Sequence, residues 1–223
     1  MIKKIFIACD TTKISNIKKI LDNTNTKKLK IGYKFGLEFI NSKNGRSFLS
    51  KLKNKIIFVD LKLHDIPNTC VSAVKAIKDI NANYLTIHIS SGLEALKAAK
   101  KVSGKTKLVG VTTLTSLTDN SLKQIGYNKK IKNLVYHQAK LANKAGLDAI
   151  VCSAKEVGYV KKVFKKEIIT PGIRFNSNKN DQKRITTPKD AFKNGSDWLV
   201  IGRPITKGNI KKNIKQLIGH LNK

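Results

Sequence analysis

The chain has 223 residues, 26% of them charged, and 45 Lys plus Arg against 14 Asp plus Glu leave a formal net charge of +31 at pH 7. Such an excess points first to polyanions, because clustered cations gain affinity by releasing counterions from phosphates. A specific nucleic-acid reader is not expected, however: the only arginines are Arg46, Arg174, Arg184 and Arg203, aromatic residues make up 6%, and the lysines are spread along the chain rather than gathered in a tail.

Taken in chain order, short apolar or β-branched runs alternate with stretches of helical spacing. The first run, Ile5–Asp10, is too short for the apolar core of a secretory signal, and no later run approaches the roughly 18 apolar residues of a membrane helix. Leu29–Tyr33 follows, then Ile56–Lys62 and a helical stripe of Val71, Val74, Ile77 and Ile80. Tyr84–Ile89 and Lys107–Leu114 come next, and Leu134, His137, Leu141 and Ala145 mark a helical face. Ala149–Ser153, Glu167–Ile173 and Trp198–Arg203 complete the set of eight runs. Strands alternating with helices indicate parallel β-α units, because a parallel connection needs a crossover. Eight units predict an α/β fold, a (β/α)8 TIM barrel forming a single domain over residues 1–223. No Gly-x-Gly-x-x-Gly follows the first run and no Walker loop is present, which argues against the nucleotide-cofactor folds. Cys9, Cys70 and Cys152 are odd in number and far apart, fitting neither a disulfide framework nor a zinc site, so a reducing cytoplasm is expected.

Barrel chemistry sits where the strands end, at the C-terminal face. Those positions hold Asp10 after the first run, Lys30 on the second, and Asp60, Lys62 and Asp65 on and just past the third. Thr115 follows the fifth, Gly172 and Arg174 the seventh, and Gly202 and Arg203 the eighth. Strand alternation turns Phe58, Asp60 and Lys62 one way and the apolar Ile57, Val59 and Leu61 the other. A carboxylate and an ammonium therefore meet inside the barrel mouth, where unpaired charge costs several kcal/mol. A plain buried ion pair would satisfy the same pattern. Three of the ten aspartates nevertheless fall at this face, and charge gathered at strand ends points to function.

Pro171-Gly172-Ile173-Arg174 and Ile201-Gly202-Arg203 stand where barrel enzymes often bind phosphate, with Gly202 admitting the anion to the backbone and Arg203 supplying a bidentate contact. The polar stretch Phe175–Lys183 between them reads as a lid or as a solvated loop. No metal spacing links His64, His88, His137 and His220.

Asp60-Leu-Lys62-Leu-His-Asp65-Ile-Pro-Asn-Thr69 resembles the signature of the orotidine 5′-phosphate decarboxylase family, bacterial type. The resemblance continues through Ala8-Cys9-Asp10, Lys30-Ile-Gly32, Leu114-Thr115-Ser116, Thr170-Pro-Gly-Ile-Arg174, Asn180-Asp-Gln182 and Ile201-Gly-Arg203. Cys9 departs from the larger aliphatic residue usual there, which bears on packing. The resemblance implies cofactor-free decarboxylation of orotidine 5′-monophosphate to UMP. Lys30, Asp60, Lys62 and Asp65 would form an alternating charge array, with Lys62 stabilising and protonating the C6 carbanion. Asp10 would hold a ribose hydroxyl and orient Lys30, and Thr115 would contact the pyrimidine. Gln182 would bridge base and phosphate, and Arg174, Gly202 and Arg203 would serve the phosphate end. Asp65, Ile66 and Thr69 would reach the neighbouring site of a homodimer. Two other readings stay open: a same-fold, Mg2+-dependent sugar-phosphate decarboxylase or synthase, and a non-catalytic nucleic-acid-binding barrel.

Overall fold

All eight apolar runs form strands in the computed structural model, which describes residues 2–175 and 186–222. They are β1 (Lys3–Ala8), β2 (Leu29–Gly36), β3 (Ile56–Leu63), β4 (Tyr84–His88), β5 (Lys107–Val111), β6 (Ala149–Val151), β7 (Glu167–Thr170) and β8 (Trp198–Ile201). Every pairing is parallel and sequential, and β8 returns to β1, so the sheet closes as a (β/α)8 barrel. Closure removes the unpaired edges that an open sheet would expose.

The helices are α1 (Ile14–Asn23), α2 (Leu37–Ile40), α3 (Gly45–Lys51), α4 (Pro67–Ala76), α5 (Gly92–Val102), α6 (Asp119–Gln124), α7 (Ile131–Lys144), α8 (Val157–Val160), α9 (Pro188–Lys193), α10 (Arg203–Thr206) and α11 (Ile210–Asn222). Local chemistry starts several of them. Pro67 sits in the first turn of α4, where its missing N–H costs nothing. Thr118 and Thr187 cap α6 and α9 by accepting the N–H of Ser121 and Asp190. The inner stripes, such as Ile17, Ile20 and Leu21 of α1, pack on the outward strand residues Ile5, Ile7, Ile57 and Val59. Among the described residues no helix is long and apolar enough to cross a membrane.

Two sequence expectations shift. The buried face of α7 is Leu134, Val135, Gln138, Ala139 and Ala142, and His137 is exposed. The reason is Gln138, whose amide oxygen accepts the Thr113 N–H at 2.9 Å and its hydroxyl at 3.1 Å, so a polar side chain occupies a core-facing position. Strand ends move as well: β5 and β7 stop at Val111 and Thr170, whereas β2 runs on to Gly36, three residues past Tyr33.

Inside the barrel, the N-terminal half is filled by an aromatic plug. Phe6 stacks on Trp198 with centroids 4.0 Å apart, and Phe58 and Tyr84 close in at 4.9 and 5.1 Å. Gly32 is required there, because a Cβ would meet the Phe6 ring at 2.6 Å. With this half solid, the space left inside the barrel lies toward the strand C-termini.

Candidate active site

The inward parity of β3 delivers Asp60 and Lys62 to the mouth. Between Val59 and Leu63 the register with β4 slips, and Lys62 takes a left-handed φ of +51°. A bulge of this kind re-aims a side chain, and the left-handed conformation costs a non-glycine residue about 1–2 kcal/mol. Thr86 of β4 holds the distortion: its hydroxyl accepts the Lys62 N–H at 2.7 Å and donates to Asp60 Oδ1 at 3.0 Å. The other carboxylate oxygen, Asp60 Oδ2, receives Lys62 Nζ at 2.9 Å and Lys34 Nζ at 3.2 Å. Lys34 Nζ in turn lies 3.6 Å from Asp10 Oδ1 at the end of β1. The result is a chain of alternating charge, Asp10–Lys34–Asp60–Lys62.

Its electrostatics follow from burial set against pairing. Burial pushes the Asp60 carboxyl up, but Lys34 and Lys62 outweigh it and hold it below the usual carboxylate range. Burial likewise pulls Lys34 down, and Asp60 with Asp10 more than restores it, so its ammonium is held above the ordinary lysine value. Both groups are thus charged at neutral pH. His88, packed 5.2 Å from His64, is pulled down by burial first and then by His64 and Lys62.

These groups line a cavity of about 730 Å³, within the range of small-molecule sites. Of the residues singled out by sequence, Asp10, Asp60, Lys62, Thr115, Arg174, Gly202 and Arg203 converge on it. Asp65, Ile66 and Thr69 lie exposed past β3 and do not line it. Gln182 falls outside the described residues, as does most of the stretch read as a lid.

Lys30 needs correction. It is the second residue of β2, exposed and paired in register with Lys4, so it lies at the N-terminal rim. The place expected for it belongs to Lys34, four residues on and about 13 Å along the strand. Lys30, Gly32 and Lys34 share one strand parity, so alternation alone cannot separate the two lysines. The signal that distinguishes them is strand length: β2 reaches Gly36, which carries Lys34 to the mouth. The sequence alone carries no sign of Thr86, a hydroxyl at a buried position of β4.

Residues 3–216 match the family model described as "Orotidine 5'-phosphate decarboxylase / HUMPS family". The orotidine 5′-phosphate decarboxylase of Wolbachia sp. subsp. Brugia malayi is 44% identical over 220 residues, covering 96% of each chain. That of Vibrio cholerae is 38% identical over 218 residues, covering 92% of this chain and 91% of the relative. The crystal structure of orotidine 5′-phosphate decarboxylase from Lactobacillus acidophilus superposes with a TM-score of 0.84 at 30% identity, covering 99% of this chain and 100% of the other.

Proposed function

The chain belongs to the orotidine 5′-phosphate decarboxylase / HUMPS family, and from that premise we propose that it converts orotidine 5′-monophosphate to UMP and CO2, the last step of de novo pyrimidine biosynthesis. The observation that carries the reading is the Asp10–Lys34–Asp60–Lys62 array in a cavity that also holds Gly202 and Arg203. Heterolysis of the bond between C6 and the carboxyl carbon releases CO2 and leaves its electron pair on C6, in the ring plane and outside the π system. Lys62 Nζ stands ready to stabilise that pair and then to give C6 a proton, which solvent later restores. Preorganised charge of this kind is most effective where water is scarce and the dipoles are already in place. Asp60, held ionised by two lysines, faces the departing carboxylate, and Lys34 fixes Asp60 and Asp10 together. Asp10 takes a ribose hydroxyl, Thr115 the pyrimidine edge, Gln182 the span from base to phosphate, and Arg174, Gly202 and Arg203 the phosphate. Binding energy gained at that remote end supports the chemistry at C6.

The same reading makes the protein a cytoplasmic homodimer that needs no cofactor and engages neither membranes nor specific nucleic acid. Asp65, Ile66 and Thr69 then serve the neighbouring site. Their support is position: they follow β3 at its C-terminal end, Ile66 is 66% exposed, and none lines its own chain's cavity. Mixing Asp65→Ala with Asp10→Ala subunits restores partial activity if sites are shared; dimers without recovery would assign each site to one chain.

The deciding assay follows orotidine 5′-monophosphate by ultraviolet absorbance in EDTA. Rapid conversion to UMP is expected. No conversion by folded, dimeric protein would transfer the reading to a Mg2+-dependent reaction of a sugar phosphate.

A further inference from the structure

Among the described residues eight ionisable side chains line the cavity, and they are unevenly arranged. At the reacting end two lysines, Lys34 and Lys62, face two aspartates, Asp10 and Asp60, and the charges balance. The other four, Arg174, Arg203, Lys19 and Lys207, are all cations. A phosphate monoester carries about −1.5 to −2 at pH 7, which Arg174 and Arg203 suffice to neutralise.

Lys19 and Lys207 lie beyond that need. Lys19 is on α1, and Lys207 follows α10 directly, four residues after Arg203. The cavity wall continues past them through Gly208, which has a φ of +71° and open space where a Cβ would stand. Among the described residues neither ammonium has a hydrogen-bond or ion-pair partner, in contrast to Lys34, Lys62, Lys100, Lys107 and Lys161. The backbone here is anchored, Lys19 O accepting from Asn23 and Lys207 O from Asn213, both at 2.7 Å, and the Lys207 N–H donating to Arg203 O at 3.1 Å. The backbones are thus held in place while the charged ends remain available.

We propose that Lys19 and Lys207 form an outer anion subsite that receives a second phosphoryl group, so that the cavity binds nucleoside 5′-diphosphates as competitive inhibitors more tightly than the monophosphates. The proposal rests on Gly202 and Arg203 marking the phosphate end of the functional reading above. A second phosphoryl adds at least one negative charge where two uncommitted cations meet it, at the outlet of the cavity and away from the reacting carbon.

The test compares uridine 5′-diphosphate with UMP as inhibitors of orotidine 5′-monophosphate turnover at low ionic strength. Two exposed charge contacts predict roughly fivefold tighter inhibition by the diphosphate, shrinking as salt is added. The Lys19→Gln/Lys207→Gln protein loses that preference, whereas Lys101→Gln/Lys144→Gln, with the same charge removed from other helices, keeps it. Equal inhibition by both nucleotides in the unmodified protein would overturn the proposal. So would a preference that survives in Lys19→Gln/Lys207→Gln, or one lost equally in both variants. Absence of turnover would instead strike the functional reading, and calorimetric titration of the two nucleotides then reads the subsite directly.

Discussion

The two ends of the barrel each hold a carboxylate between two lysines and a hydroxyl. At the N-terminal end Glu167 takes Lys107 at 2.9 Å, Lys4 at 3.5 Å and the Tyr84 hydroxyl at 2.9 Å. At the C-terminal end Asp60 takes Lys62 at 2.9 Å, Lys34 at 3.2 Å and the Thr86 hydroxyl at 3.0 Å. In both places burial pushes the carboxyl up and its partners bring it below the ordinary range. Three differences separate them. The Glu167 cluster caps the aromatic plug of Phe6, Tyr84 and Trp198, whereas the Asp60 cluster faces the cavity. Lys62 is held in a left-handed bulge, and Lys34 carries a second carboxylate, Asp10. A buried ionic cluster therefore does not define a site by itself. It becomes one where strain aims one partner into open space and the rest of the cluster keeps it charged.

The largest effect expected from this contrast is on turnover. Lys62→Ala should lose at least about 10⁴-fold in kcat, since under the proposed mechanism it removes both the stabilising charge and the proton donor. Its thermal midpoint should move little, because Lys34 and Thr86 still hold Asp60. Lys107→Ala, the matching change at the other end, should leave kcat intact. Lys34→Ala should be severely impaired and Lys30→Ala normal; the reverse result would restore Lys30 to the site. A smaller loss is expected for Thr86→Val, which keeps the shape but frees Asp60 Oδ1 and the Lys62 N–H. About 10- to 100-fold in kcat follows from losing one or two buried hydrogen bonds, with KM less affected. Equal damage to kcat and to folding would reduce Thr86 to a packing role.

The smallest effect belongs to the closed end. Glu167→Gln should cost about 1–2 kcal/mol, given that its lysines are partly exposed, and lower the midpoint by a few degrees with turnover retained. The pH dependence has a definite sign. Glu167 and Asp60 are both lowered in the folded chain, so they stabilise it above the ordinary carboxylate range, near 4. That contribution disappears as pH falls through their folded values, where the unfolded state binds more protons. Denaturant titrations at acid pH should therefore show a shallower loss in Glu167→Gln than in the unmodified protein. Unchanged steepness would remove Glu167 from the acid response.

By itself the sequence determined the eight strands, their parallel order and the convergence of Asp10, Asp60, Lys62, Gly202 and Arg203. Alternation and crossover length are local properties, and a run such as Ile57-Phe58-Val59-Asp60 states which side chains face inward. Depth along the barrel axis is not local. Lys30 and Lys34 have the same residue type and the same parity, and only the register of β2 against β1 and β3 sends one to the outer rim and the other to Asp60. The bulge at Lys62 and the hydroxyl of Thr86 that holds it likewise arise between strands, from a mismatch of β3 with β4. The tertiary structure decided these points because they depend on how far one strand has slid past its neighbours, a quantity that no single stretch of chain contains.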